Sequence, residues 1–296
     1  MSASVQPQLS TNAETGQRRS IDWVSIVWFG ALLAASYGIV LVRSARLWFD
    51  DLNMSHGLFV PLLAGYIVWQ TRDRLRDAAV RPNRFGLVLM ILGGVTLCMG
   101  PPQLDTFASA TRLAFLLSLG GTILYLRGIP TLRLCIYPLL LLMLMFPLPG
   151  PISDRVTFPL QMIASRLAET LLEWSGYSVL REGNILHLPG QTLSVAEACS
   201  GLRSLVALTF LAQAYIYLFE GRVWMRAVIA VCVIPIAVFA NSIRIVGTAI
   251  AGNYRAEWAH GTYHESTAWI VFAVAFLGII GCHLLIVRIF RRVVSA

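Results

Sequence analysis

Long apolar segments recur along this chain from Trp23 to Val287 and leave few polar stretches between them. Hydrophobic residues make up 57% of the 296 positions and charged residues only 13%, a composition unlike that of soluble domains. A segment of about 20 apolar residues is long enough to cross a hydrocarbon core of about 30 Å. The sequence therefore predicts an all-α polytopic membrane protein.

About eight of these segments are predicted to be transmembrane helices, in one membrane domain that covers residues 21–296. Residues 1–20 are rich in Ser, Thr, Gln and Asn, which predicts a disordered cytoplasmic tail. The predicted spans are Trp23–Val42, His56–Thr71, Phe85–Gly100, Thr111–Leu126, Leu132–Pro147, Ser200–Phe219, Trp224–Ile250 and His264–Val287.

The basic residues orient these spans. All 23 are arginines, and most fall in cytoplasmic segments if the N-terminus is cytoplasmic, as the positive-inside rule requires. Both termini are then cytoplasmic. The formal net charge of +8 is interpreted as topology and contact with anionic membrane lipid. No motif combines aromatic and basic residues in a way that indicates nucleic-acid binding.

Residues 148–198 form the one long polar section and are predicted to lie outside, as a small periplasmic cap. Within it, Ser153–Trp174 alternates apolar stretches with charged residues and predicts an amphipathic surface helix. Tyr177–Val195 contains β-branched residues interrupted by Glu-Gly-Asn and Pro-Gly-Gln, which predicts a short β-hairpin. The cap leads directly into the sixth span.

Cys199 differs from the other four cysteines because it lies at the start of a span rather than inside one. Glu197 precedes it and Arg203 follows one turn later. A helix N-terminus and a nearby cation both lower the pKa of a thiol, and the thiolate is the nucleophilic form. Cys199 is therefore a candidate nucleophile. The cysteine pattern does not require a disulfide framework.

The predicted topology brings further polar residues to the same outer depth. Asn241 and Arg244 share a face near the outer end of the seventh span, while His264 and His56 begin the eighth and second spans. A histidine can accept the thiol proton, and an arginine can stabilise an oxyanion. Each residue alone also has an ordinary explanation: packing for Cys199 and His283, an interfacial position for Arg244, and helix capping for His56, His264 and Glu265. Only their convergence favours a site.

The chain resembles the exosortase/archaeosortase family, EpsH-like membrane transpeptidases of bacteria and archaea. The resemblance rests on MSHGLFVPLL at Met54–Leu63, EACSGLRSL at Glu197–Leu205, ANSIR at Ala240–Arg244 and YHESTAW at Tyr263–Trp269. It departs from the bacterial pattern at Ala268, where a glycine usually precedes the tryptophan.

This resemblance implies a standalone cysteine protease or transpeptidase of the bacterial inner membrane, with Cys199, Arg244 and His264 as catalytic residues. Its substrates would be exported proteins that carry a C-terminal PEP-CTERM sorting signal. A thioacyl intermediate would transfer them to an unknown lipid or polysaccharide acceptor, in connection with exopolysaccharide production. Arg203, Glu197, Asn241, His56 and Glu265 are candidate supporting or substrate-binding residues.

Two alternative functions predict different sequence features. In a transporter or exopolysaccharide-export component the polar cluster would be non-catalytic, and polar residues would be distributed through the span centres. Apart from His283, those centres are almost wholly apolar. A serine intramembrane protease needs a GxSG-like motif at a helix start, where this chain has its cysteine. We expect neither a metal nor a cofactor.

Overall fold

The computed structural model describes residues 23–51, 54–99, 105–195, 201–254 and 262–294. For residues 23, 105–107, 201–204, 262–268 and 292–294 the description covers the backbone path only. The predicted tail, residues 1–20, lies outside the described residues. Helices dominate the described part of the chain, as its apolar composition predicts.

In the N-terminal half, the described residues form six helices and two short 3-10 turns. The turns are Ser55–Leu58, directly before the second helix, and Met143–Met145, directly after the sixth. The helices are α1 Trp23–Asp50, α2 Phe59–Gln70, α3 Arg72–Asp77, α4 Phe85–Cys98, α5 Asp105–Arg127 and α6 Ile129–Leu142.

Helix α7, Gly150–Trp174, departs from the direction of α6 by 84°. The break coincides with prolines at 147, 149 and 151, which cannot continue a helix from the preceding residues. The prediction of a helix over Ser153–Trp174 agrees with α7. A surface position of α7 in a membrane stays a prediction.

A three-stranded antiparallel sheet follows α7, with strands β1 Leu180–Glu182, β2 Ile185–Leu188 and β3 Gln191–Ser194 in that spatial order. Gly183 and Gly190 adopt positive φ at the two turns, a conformation that glycine reaches without strain. A two-stranded hairpin was predicted, but the sheet has three strands, because the chain reverses at both Gly183 and Gly190. The periplasmic location of residues 148–198 stays a prediction.

After the sheet, the described residues form three long helices: α8 Gly201–Phe219, α9 Val223–Tyr254 and α10 Thr262–Val294. Helix α8 has two packed faces. Leu208, Ala212 and Ile216 pack in a cluster with α9 and α10, whereas Phe210 and Tyr217 pack with α2 and α6. Helix α8 thus joins the N-terminal helices to the C-terminal pair.

Helices correspond to all eight predicted spans, but not all have spanning length. Within the described residues, four helices are long and apolar enough to cross a membrane, in α1, α5, α9 and α10, or five spans if the bent α6–α7 pair counts as one. Helices α2 and α4 are about 18 and 21 Å long at 1.5 Å per residue, shorter than the hydrocarbon core. The count of eight spans stays a prediction. Hydropathy detects apolar runs in the sequence, and an apolar run need not form a helix of the same length.

Helices α4 and α5 approach closely at glycines. Gly86 faces the backbone of Gly121 and Tyr125, and Gly93 faces the Ala114 carbonyl together with the Ser118 side chain. A Cβ atom at Gly86 or Gly93 would overlap these atoms. Small residues at such contacts allow two helix backbones to pack directly, which is a main source of helix association in membranes.

Candidate functional site

The structure describes the predicted site residues to different extents. Cys199 and Glu197 lie outside the described residues. Arg203 lies on α8, and His264 and Glu265 lie in the first turn of α10, where the description covers the backbone only. The side chains of Asn241, Arg244 and His56 are described.

Asn241 and Arg244 line one pocket between α8, α9 and α10. Asn241 is buried and Arg244 is half-buried. Leu208 of α8 and Val271 and Phe272 of α10 form the apolar walls. The pocket is small, because its interior of about 20 Å³ has room for about one water molecule. Its polar lining comes from the ANSIR motif.

Asn241 contributes an acceptor to this pocket. Its Oδ1 atom is buried and has no hydrogen-bond partner among the residues that the structure describes. A buried amide oxygen without a donor costs about 1 to 3 kcal/mol. Asn241 and Arg244 are one helical turn apart, so both present their polar groups to the same side of α9.

The helix directions define which residues share the depth of Arg244. Helix α9 is antiparallel to α8 and α10: the Glu220–Arg222 loop joins it to α8, and the ring of Trp224 packs against that of Phe290 near the end of α10, with the ring centroids 5.1 Å apart. Three residues from the three helices, Leu208, Ala237 and Val271, line the same pocket.

The level of these three pocket residues is a common reference for the helices. On α9, Arg244 follows Ala237 by seven residues. On α8 and α10, Gly201 precedes Leu208 and His264 precedes Val271, each also by seven residues. Each step is about 10 Å along a helix axis and runs in the same direction. The start of α8, the Arg244 turn and the His264 backbone therefore lie at one end of the three-helix bundle.

The small sheet also packs at this end of α9. Leu186, Leu193 and Val195 share a buried cluster with Ile245 and Ala249. Gln191 Nε2 donates a hydrogen bond to the Ala249 carbonyl at 2.6 Å, and the Val195 N–H donates to the Asn184 carbonyl at 2.9 Å. The described chain on both sides of residues 196–200 thus lies near the Arg244 end of the bundle.

His56 lies on the other face of α8. Its Nε2 atom is 3.1 Å from the Leu144 carbonyl oxygen, and its ring centroid is 6.2 Å from that of Phe210. Phe210 points to the α2–α6 side, two positions from the pocket-lining Leu208 on the opposite helix face. The structure therefore places His56 with the N-terminal helices rather than beside Arg244.

A second polar cluster, at the opposite end of the three-helix bundle, is absent from the sequence predictions. His283 Nε2 is 3.1 Å from Glu220 Oε2 and His283 Nδ1 is 2.8 Å from the Tyr215 hydroxyl. The second carboxylate oxygen of Glu220 accepts the Arg222 backbone N–H at 2.7 Å. We call Tyr215, Glu220 and His283 the Glu220 network. Only tertiary structure reveals it, because 63 residues separate Glu220 from His283.

Electrostatics at Glu220 favour the ionised carboxyl. Burial disfavours its charge, but the Arg222 N–H, the His283 hydrogen bond and the charges of both residues outweigh that effect and lower the pKa of Glu220. Among the described residues, no group of three His, Cys, Asp or Glu is arranged to hold a metal ion.

Comparison with known proteins identifies the family. The family model for transmembrane exosortases, Exosortase_EpsH, matches residues 48–281. The matched range contains the Asn241–Arg244 pocket, the start of α8 and all four motifs of the resemblance. Searches of curated proteins and of solved structures give no match. Because the family model covers well over half of the chain, this multi-pass membrane protein belongs to the transmembrane exosortase family.

Proposed function

We propose that this exosortase is a cysteine transpeptidase that cleaves C-terminal PEP-CTERM sorting signals at the periplasmic face of the bacterial inner membrane. Membership of the family supports a sorting-signal-processing enzyme. The observation that carries the proposal is the pocket of Asn241 and Arg244, in which the Arg244 turn lies at the bundle end where α8 begins. Cys199 precedes the first residue of α8 by two positions.

In the proposed reaction His264 accepts the proton of the Cys199 thiol, and the thiolate attacks the carbonyl carbon of the scissile peptide bond. Arg244 stabilises the resulting oxyanion by charge-assisted hydrogen bonds. Collapse of the tetrahedral intermediate breaks the C–N bond, His264 protonates the leaving amine and a thioester remains. An acceptor nucleophile then displaces Cys199, or water hydrolyses the thioester.

Asn241 is proposed to support Arg244, because the two side chains share a helix face and one pocket. Its buried Oδ1 acceptor is suited to orient a guanidinium or a substrate N–H. Arg203 and Glu197 are proposed to act on the substrate motif or on each other, and Glu265 to support His264. The narrow pocket must widen, or admit only one substrate group, because a peptide backbone exceeds its interior.

A substrate anchored by its own helix reaches such a site without leaving the membrane. Its basic tail is retained at the cytoplasmic face, so the residues that precede the helix emerge at the outer face. The scissile bond then arrives at the level of Arg244. An arginine is suited to the glutamate of a Pro-Glu-Pro motif as well, since guanidinium binds carboxylate bidentately.

Processing of a tagged PEP-CTERM reporter tests the proposal. Cells carry the wild-type protein, Cys199→Ala, Cys199→Ser or the matched control Cys98→Ala, and membrane insertion is verified for each. Cys98 is an exposed cysteine at the end of α4. We expect wild type and Cys98→Ala to shorten the reporter, and both Cys199 variants to leave it at full length.

Normal processing by Cys199→Ala would overturn the mechanism and favour the alternative of a transporter or export component with a non-catalytic polar cluster. If the thiol is the nucleophile, a reporter adduct on wild-type protein should be released by hydroxylamine, which cleaves thioesters. The acceptor follows from the mass of the released reporter C-terminus.

A further inference from the structure

A groove of about 350 Å³ opens between α2, α3, α5 and α6, at the opposite end of α2 and α6 from His56. Apolar side chains form its walls and three arginines lie along it; we call it the arginine groove. Its defining residues are Val68, Ile123, Cys135, Arg72, Arg76 and Arg127. An apolar wall beside several guanidinium groups fits a ligand with an apolar part and an anionic part.

The arginines are positioned by local contacts. Arg127 donates to the Leu75 carbonyl and so ties the end of α5 to α3. Arg72 donates to the Trp69 carbonyl at 3.1 Å, with its guanidinium 4.6 Å from the centroid of the Trp69 ring. A guanidinium carries five N–H donors, more than these contacts use within the described part of the chain.

One carboxylate competes for these cations. Asp73 Oδ1 lies 3.9 Å from Arg72 Nε and 3.8 Å from Arg76 Nη1. All three side chains are between 44% and 70% exposed, and ion pairs that are so long and exposed hold weakly. An anion that contacts Arg72, Arg76 and Arg127 together can displace the Asp73 carboxylate.

Thr131 supplies an independent sign of a ligand. It lines the groove and is only 6% exposed, and its hydroxyl has no hydrogen-bond partner within the described residues. The hydroxyls of Thr71, Thr96, Thr122 and Thr170 each donate to the carbonyl four residues earlier. For Thr131 the residue four positions earlier is Arg127, which belongs to α5 rather than to α6, so the helix of Thr131 offers its hydroxyl no such acceptor. The Thr131 hydroxyl thus has no acceptor among the described residues, although it belongs to a residue that lines the groove.

We propose that the arginine groove binds an anionic phospholipid. Its phosphate contacts the three guanidinium groups, an acyl chain lies along the Val68–Ile123 wall, and the Thr131 hydroxyl donates to a lipid oxygen. Basic pockets between membrane helices on the cytoplasmic side have this chemistry, and the predicted topology places the groove there. Trp69, 59% exposed at the rim, is suited to the headgroup level. The proposal is independent of the peptidase reaction.

Native mass spectrometry of the purified full-length protein tests the proposal, with phosphatidylglycerol and phosphatidylcholine of identical acyl chains as probes. We expect phosphatidylglycerol to bind at least tenfold more tightly than phosphatidylcholine. Arg72→Gln and Arg76→Gln should each weaken phosphatidylglycerol about fivefold, since one arginine near an anionic headgroup contributes that factor. Thr131→Val should weaken it about threefold.

Matched variants separate the groove from general effects. Arg84→Gln removes the same charge just before α4, outside the groove lining, and should change affinity less than twofold. Thr96→Val removes a hydroxyl that is already paired and should have no effect. Asp73→Asn should strengthen binding about twofold to fivefold, because the competing carboxylate is lost. A folding defect does not produce this opposite sign.

Three results would overturn the proposal. Equal affinity for the two lipids would show that the phosphate charge is not recognised. A loss with Arg84→Gln as large as with Arg72→Gln and Arg76→Gln would indicate diffuse surface attraction. Displacement of the lipid by millimolar inorganic phosphate would assign the groove to free phosphate instead.

Discussion

His283 Nε2 lies 3.1 Å from Glu220 Oε2 and thereby connects α10 to the α8–α9 loop. A carboxylate only accepts hydrogen bonds, so Nε2 carries the proton. In a neutral ring, Nδ1 is then the acceptor of the Tyr215 hydroxyl at 2.8 Å. The proton on Nε2 is thus required in either charge state of the ring, and the Glu220 network joins the end of α8 and the α8–α9 loop to α10.

Removal of either partner should destabilise the bundle. His283→Phe keeps an aromatic ring but leaves the buried carboxylate without its donor, and Glu220→Gln removes the charge. We expect each substitution to lower the free energy of unfolding by about 1 kcal/mol. Denaturant unfolding in detergent micelles measures this loss. In a double-mutant cycle the pair should couple by about 0.5 to 1 kcal/mol, and additive losses would contradict a direct interaction.

The free energy of unfolding should depend on pH through the Glu220 carboxyl. Its pKa is lowered in the folded protein from an ordinary value of 4.5, so the unfolded state binds the proton more readily. The stabilisation is present above pH 4.5 and is lost as pH falls through the folded pKa. Melting temperatures from pH 7 to pH 3 should therefore fall more steeply for wild type than for Glu220→Gln. Parallel curves would assign acid sensitivity to other groups.

Two adjacent glycines of α4 should respond differently to the same substitution. A Cβ at Gly93 would meet Ser118 Oγ and the Ala114 carbonyl, whereas a Cβ at Gly94 has open space. Gly93→Ala should lower the free energy of unfolding by about 1 to 3 kcal/mol, while Gly94→Ala should leave it unchanged or raise it by less than about 1 kcal/mol. Thermal unfolding of both purified variants compares them directly, and equal melting temperatures would contradict close α4–α5 packing.

Arg244 should tolerate lysine poorly. Lysine preserves the charge but not the planar fork of donors that holds an oxyanion or carboxylate. We expect Arg244→Lys to slow reporter processing about tenfold to a hundredfold. The control is Arg155→Lys, at an exposed position of α7, which should process normally. Wild-type rates for Arg244→Lys would exclude a bidentate role in the reaction.

Hydropathy and turn chemistry predicted much of the fold. Each long apolar run is a helix because a membrane leaves the backbone few other ways to satisfy its polar groups. Helix lengths were harder to predict: the predicted span begins at His56, whereas α2 begins at Phe59 because Ser55–Leu58 forms a 3-10 turn. The chain reverses at each of the two turn signals, around Gly183 and Gly190. Two turn signals in that section therefore predict three strands.

The site was only partly accessible from sequence. Asn241 and Arg244 are three residues apart, so their common face follows from helix periodicity. Predicted depth alone groups His56 with them, and depth does not distinguish the two faces of α8. The Glu220 network and the burial of the Thr131 hydroxyl depend on contacts between distant segments. Local sequence patterns carry no information about such contacts.

The register of β3 has a consequence for which changes in chain length the protein can accept. Leu193 and Val195 are buried against α9, and Gln191 bonds to the Ala249 carbonyl. A single inserted residue between Gln191 and Val195 would exchange the inward and outward side chains. The same insertion at Ser175–Gly176, before β1, leaves the β2–β3 pairing intact. Natural length variation in this region should therefore concentrate before β1 and be rare between Gln191 and Val195.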